Sequence, residues 1–293
     1  MRVFTTGASG WIGTATTARL LAAGHQVTGL ARSATSARTI EALGAEVVRG
    51  DMSEHDLIVE QAQRADAVVH LAFTLDFTRF EQTVENEVTL IAKVGSALHG
   101  SGKAFVAASG TPILPARLAT EDDVLDPAGP AGARARTAEA VLALSQRGIR
   151  SALVRMPRSV HGAGDRNGLI ATLVDLDRRL GTAAYVGDGH HRWPAVHLDD
   201  AAHLLVLALE RAPAASVLHA VGEQGVPMRE VAEVIAEKTG LAPAAVDPEQ
   251  LGVFGALLGT DQPASSALTR RLTGWQPTGP SLLEDLAAGY YTD

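Results

Sequence analysis

The run Arg2-Val3-Phe4-Thr5-Thr6 passes without a break into Gly7-Ala8-Ser9-Gly10-Trp11-Ile12-Gly13 and then into an Ala/Leu-rich stretch ending near Ala23. A β-branched strand, glycines at three-residue spacing and a helix, in that order, leave few folds open. Gly7 permits a tight turn, Gly10 takes away the side chain that would hold a ligand off the backbone, and Gly13 lets the helix lie close to the strand. The helix start then presents free N–H groups and a positive dipole end to phosphate. The pattern becomes specific when the strand opens a βαβ unit.

The following chain supplies that unit. Apolar runs QVTGLA, AEVVRG, DAVVHLA, KAFVAAS and RSALVRM follow RVFTT, with helical patterns from about Ala34, around Asp56 to Gln63, from Arg79 to His99 and from Arg134 to Gln146. Six strands alternating with helices predict an α/β, doubly wound parallel sheet, the NAD(P)-binding Rossmann fold. Residues 1–157 form its dinucleotide-binding core, and residues 158–293 are mainly a small C-terminal substrate lobe, integrated with the core and completing its sheet. The second half opens with the loop-like stretches HGAGDRNG and VGDGHHRWPAVH, and helices are predicted near Asp199 to Glu210, Pro227 to Thr239 and Ser281 to Gly289.

Charge and composition exclude several functions. A formal net charge of -8 with scattered cations argues against a nucleic-acid surface. Without cysteine there is no disulfide, thiolate metal site or cysteine nucleophile. His190, His191 and His197 cluster in sequence but lack a helical His-x-x-x-His pair or a carboxylate at ligand spacing, so no metal is expected. A strand from Arg2 and the lack of an apolar run of about 18 residues predict a soluble, cytoplasmic protein without a membrane partner.

The end of the second strand bears on the choice of dinucleotide. An acidic residue there would accept hydrogen bonds from free ribose hydroxyls, but the chain reads Leu30-Ala31-Arg32-Ser33. Arg32 and Ser33 offer a planar cation and a hydroxyl to a 2′-phosphate, and Arg38 follows about two helical turns later. The expected cofactor is NADP, with NAD the less favoured choice.

These motifs resemble those of the extended or atypical short-chain dehydrogenase/reductases, the group that includes NAD(P)-dependent epimerases and dehydratases. The likeness spans nearly the whole chain. It implies that Gly7, Ser9, Gly10, Trp11, Ile12 and Gly13 form the cofactor turn and that Asp51 and Met52, in Gly50-Asp51-Met52, meet the adenine. It also implies that Leu71, Ala72 and Phe73 line a second cofactor turn, and that Pro157 and Val160 lie beside the nicotinamide. Gly187-Asp188-Gly189 and Val196-His197-Leu198-Asp199-Asp200 resemble a substrate-side signature. A homodimer through the two long helices is a further implication.

The catalytic pattern departs from that family. Its members use a tyrosine on the helix after the fifth strand and a lysine four residues later; here Ala131 and Ala135 take those places, and the tyrosines are Tyr185, Tyr290 and Tyr291. Arg136, or its neighbour Arg134, is the candidate for the lysine's positive charge. Ser109 and Thr111 are candidates to hydrogen-bond a reacting carbonyl, and His161 is the leading candidate for proton donor. Tyr185 and Trp193 are assigned to the substrate side, where Trp193, Ile113 and Leu114 as apolar walls suggest a modest, largely uncharged small molecule. Three functions compete: NADP(H)-dependent reduction of a small carbonyl or imine, noncatalytic NADP binding as a sensor, and NAD-dependent nucleotide-sugar epimerisation or dehydration.

Overall fold

The computed structural model describes residues 1–73, 79–114, 117–128 and 132–292. Strands β1 (Arg2–Thr6), β2 (Gln26–Ala31), β3 (Glu46–Arg49), β4 (Ala67–His70), β5 (Ala104–Gly110) and β6 (Arg150–Met156) alternate with helices α1 (Trp11–Ala22), α2 (Ala34–Ala42), α3 (His55–Arg64), α4 (Phe80–Ala97) and α5 (Ala133–Ala143). All six expected strands are present. The helix expected to reach Gln146 ends as an α-helix at Ala143 and tightens into a 3-10 turn over Leu144–Arg147, before Gly148 reverses the chain with φ of 70°.

The second half is more regular than its Gly, Pro and His content suggests. It contains β7 (Ser159–His161), α6 (Leu169–Leu180), β8 (Thr182–Val186), β9 (Arg192–His197), α7 (Leu198–Arg211), β10 (Ser216–His219), β11 (Glu223–Pro227), α8 (Met228–Thr239), β12 (Ala242–Val246), α9 (Val253–Leu258), α10 (Ala267–Thr273) and α11 (Leu282–Ala287). The stretch VGDGHHRWPAVH is therefore the end of one strand, a turn and a whole second strand.

The central sheet has seven parallel strands in the order β10-β6-β5-β4-β1-β2-β3. Side chains alternate between its faces. Val3, Val106 and Val154 point to a core shared with α1, α2 and α7, while Phe4, Phe105 and Leu153 point to one shared with α3, α4 and α5. Thus α7 and β10, from beyond residue 157, complete the first domain's sheet and one of its helix layers. A third core, built on α6, β8, β9, α8 and α11, forms the C-terminal lobe. The strand order reverses between β1 and β4, and a parallel sheet opens its ligand crevice at the carboxyl ends of the strands flanking such a reversal.

Candidate functional site

The crevice is present at that point. A cavity of about 670 Å³ lies over the carboxyl ends of β1, β2 and β4, with Gly7, Ser9 and Gly10 on one wall. Gly7 has φ of 73°, and a Cβ there would lie 2.7 Å from the backbone nitrogen of Ala72, so the turn and the β4 loop are packed backbone to backbone. A Cβ on Gly13 would fall 1.9 Å from the Gly7 carbonyl oxygen, which explains the glycine at the first turn of α1. No side chain caps the start of α1 and no acid occupies its first turn. The helix end thus keeps N–H groups for an anion, and this uncapped glycine cradle fits a dinucleotide pyrophosphate.

The far end is lined by Leu30, Arg32, Ser36, Asp51, Met52 and Ser53. Asp51 accepts from the Ser53 backbone N–H (3.0 Å) and hydroxyl (2.9 Å). These bonds, with Arg32 adding its field, hold the Asp51 carboxyl below its usual range. Ser33 caps α2 by accepting from the Ser36 N–H at 3.1 Å, and Ser36 is the hydroxyl on the cavity wall. Arg38 is corrected: it lies outside the cavity, exposed and bonded to Thr35 at 3.2 Å, because its helical position turns it away.

Leu71, Ala72 and Phe73 form the opposite wall with Arg79, Asn86 and Glu87. Beneath it runs a buried polar chain. Thr6 Oγ1 meets His70 Nδ1 at 2.9 Å, His70 Nε2 meets Glu87 Oε1 at 3.3 Å, and Glu87 Oε2 accepts from Thr137 at 3.0 Å and from Arg134. Arg134 also donates to the Ala108 carbonyl at 3.1 Å. Burial raises the Glu87 carboxyl, but His70, Arg134 and Thr137 outweigh it and the net shift is downward. Of the two arginines on α5, Arg134 therefore sits beside the cleft. Arg136 is corrected to a surface role, half exposed and paired with Glu81 at 2.5 Å. Ala131 lies outside the described residues, and Ala135 is buried in the core under α5.

The reaction-side expectations divide. Ser109 and Thr111 both lie at the carboxyl edge of β5. The Ser109 hydroxyl is buried with no hydrogen-bond partner among the described residues, a costly state that invites a ligand. Thr111 Oγ1 accepts from Gln262 Nε2 at 3.2 Å and donates to none of the described residues. Trp11 and Ile12 lie outside the cavity lining; Trp11 donates to the Val160 carbonyl at 3.0 Å, tying α1 to β7, and Ile12 packs into the core. Pro157, in the turn after β6, and Val160, on β7, also lie off this cavity.

His161 is corrected. Its side chain is fully buried, Nδ1 lies 2.6 Å from Asp285 Oδ2, and burial lowers its basicity despite that carboxylate. It ties β7 to α11 rather than facing the cavity. Trp193 is also corrected: it is 0% exposed in the lobe core with Nε1 donating to Leu257 at 3.2 Å, so it cannot form a pocket wall. Tyr185 is half-buried on β8 beneath Arg229, away from the cavity. His197 caps α7, accepting from Asp199 at 3.3 Å, and His190 pairs with Asp188 at 3.0 Å. Ser36, Glu87, Arg158 and Gln262 were not foreseen, because local sequence does not show which distant segments meet them.

The glycine cradle and strand order find their counterpart among known proteins. A model of the NAD dependent epimerase/dehydratase family matches residues 3–220. The chain belongs to this family. Family membership assigns it a nicotinamide dinucleotide. An uncharacterized protein of Saccharomyces cerevisiae is 38% identical over 297 residues, covering 99% of each chain. A 3-diazoavenalumate denitrifying reductase of a Streptomyces species is 28% identical over 317 residues, covering 98% of this chain and 99% of the relative. The UDP-glucose 4-epimerase of Thermotoga maritima, solved with UDP-glucose, superposes with a TM-score of 0.80 at 17% identity, covering 99% of this chain and 97% of that one. This last likeness is one of fold. None of the three tyrosines of this family member is on α5.

Proposed function

We propose that the protein is an NADP(H)-dependent reductase of a small carbonyl or imine compound. The observation that carries this reading is the position just after β2, where Arg32, with the Ser36 hydroxyl nearby, stands on the cavity wall in place of the acid that would hold free ribose hydroxyls. A guanidinium binds a 2′-phosphate in a planar, charge-assisted pair. The full-length likeness to a reductase supports reduction as the reaction.

The bound cofactor would supply a hydride to the substrate carbon. Ser109 and Thr111 orient the oxygen or nitrogen being reduced, and water entering the cleft supplies its proton, since His161 is sealed away. Arg134, paired with Glu87, fixes the Ala108 carbonyl beside Ser109, so that positioning contributes much of the rate.

The test is fluorescence titration with NADPH and NADH for the native protein and Arg32→Ala, followed by a screen of carbonyls and imines for NADPH oxidation. NADPH binding at least tenfold tighter than NADH, lost in the variant, is the expected result. Equal binding of the two would remove the NADP assignment, and firm binding without oxidation of any compound would favour a noncatalytic NADP-binding protein.

A further inference from the structure

Arg158 follows Met156-Pro157 at the carboxyl edge of β6. Its Nε donates to Gln262 Oε1 at 2.7 Å and its Nη1 to the Leu257 carbonyl at 2.9 Å, while the guanidinium carbon lies 5.1 Å from the Trp193 ring centroid. The plane of the group is thereby fixed. What it lacks is a counterion: no carboxylate lies within 4 Å among the described residues, and burial alone pushes it down to about 10. The other buried or half-buried arginines of the sheet's carboxyl edge do have acids nearby, Arg134 with Glu87 and Arg155 with Asp123 and Glu121.

Nη2 makes no hydrogen bond to the described residues and is not sealed from solvent. With one Nη1 hydrogen also unused among the described residues, the Nη1–Nη2 side of the guanidinium is left to bind a carboxylate with two parallel hydrogen bonds. Its place fits a substrate. Gln262, which holds Arg158 on one side, donates on the other to Thr111 O at 2.9 Å and Thr111 Oγ1 at 3.2 Å. One buried amide thus separates the cation from the hydroxyl assigned to the reacting group.

We infer that the substrate carries a carboxylate, gripped by Arg158 while Thr111 meets its reducible end. This rests on the reductase reading for the reaction, but the grip itself is a binding property. The sequence points to an uncharged substrate through its apolar candidate walls, Trp193, Ile113 and Leu114, and a single arginine after a proline carries no sign of lacking a partner.

The test pairs acids with their methyl esters, 4-formylbenzoate and levulinate, and measures their binding by calorimetry with and without NADP. Native protein, Arg158→Gln and Gln262→Glu are compared. The second variant sets a carboxylate beside the guanidinium and leaves Arg158 in place. The expected result is at least tenfold tighter binding of the acids by the native protein, falling to about equal in both variants, with NADPH affinity within twofold of native. Acids that bind no better than their esters, or a preference that survives both substitutions, would overturn the inference. An acid preference that behaves as expected without NADPH oxidation sustains the grip and defeats the reductase reading instead.

Discussion

The guanidinium carbon of Arg134 lies 3.9 Å from the centre of the Phe73 ring. Phe73 belongs to the loop that lines the cavity after β4, and Arg134 to α5, so the stack joins that loop to α5. A stacked, partly desolvated cation–π contact contributes about 1–2 kcal/mol. The same guanidinium neutralises Glu87 and ends on the Ala108 carbonyl, next to Ser109. One side chain therefore connects α4, α5, the β5 edge and the cavity wall.

Glu87 is the acid on which that connection depends. Glu87→Gln would leave Arg134 buried without its counterion, and breaking one side of a buried pair costs about 3–5 kcal/mol. Urea unfolding should register this loss. NADPH affinity should weaken with it, because Phe73 loses its fixed neighbour. A double variant with Arg134→Met should recover part of the stability, and a double variant no more stable than the single would show that the charge pair is not the source.

Gly7→Ala should separate the turn from the rest of the core. The substituted residue would keep φ near 73° and place its Cβ against the β4 loop backbone. Left-handed strain of this kind costs about 1–3 kcal/mol before the clash is counted. Thermal unfolding should fall by several degrees, and dinucleotide binding should fall by more than stability alone accounts for; a lower melting point with native affinity would show that the turn need not be shaped so tightly.

The parts legible in the sequence are those fixed by short-range chemistry. The glycine turn, the six strands and the Arg32 position need only neighbouring residues, since turn conformation and strand alternation are local. Trp193 misled because an aromatic beside glycines and histidines looks like a pocket wall, whereas β9 pairs with both β7 and β11 and turns it into the lobe core. His161 misled for a similar reason, its partner Asp285 lying 124 residues away. Arg158 and Gln262 meet across 104 residues, and nothing near either one announces the other.

His161 offers a clean distinction between structure and chemistry. A hydrogen bond to a charged group contributes about 1.5–3 kcal/mol, so Asp285→Asn should destabilise the lobe on roughly that scale. NADPH affinity should not move, as neither residue lines the nucleotide cavity. A variant that melts like the native protein yet loses turnover would return His161 to the reaction.

Asp177 provides the sharpest dependence on pH. It is 0% exposed on α6; Oδ1 accepts from the Ala184 N–H at 3.1 Å, but Oδ2 has no partner among the described residues. Burial pushes its carboxyl up to about 7, from an ordinary value of 3.8. The folded state therefore holds this proton more tightly than the unfolded chain. Its contribution to stability is full below pH 3.8, declines as pH rises, and is gone above about 7. Asp177→Asn removes the ionisation, so the variant should gain on the order of 2–4 kcal/mol over the native protein at pH 8 and much less at pH 4. Urea unfolding at both values measures the difference. An equal gain at the two pH values would trace the effect to packing, and a loss at pH 8 would mean that the carboxylate is stabilised by a partner this geometry does not provide.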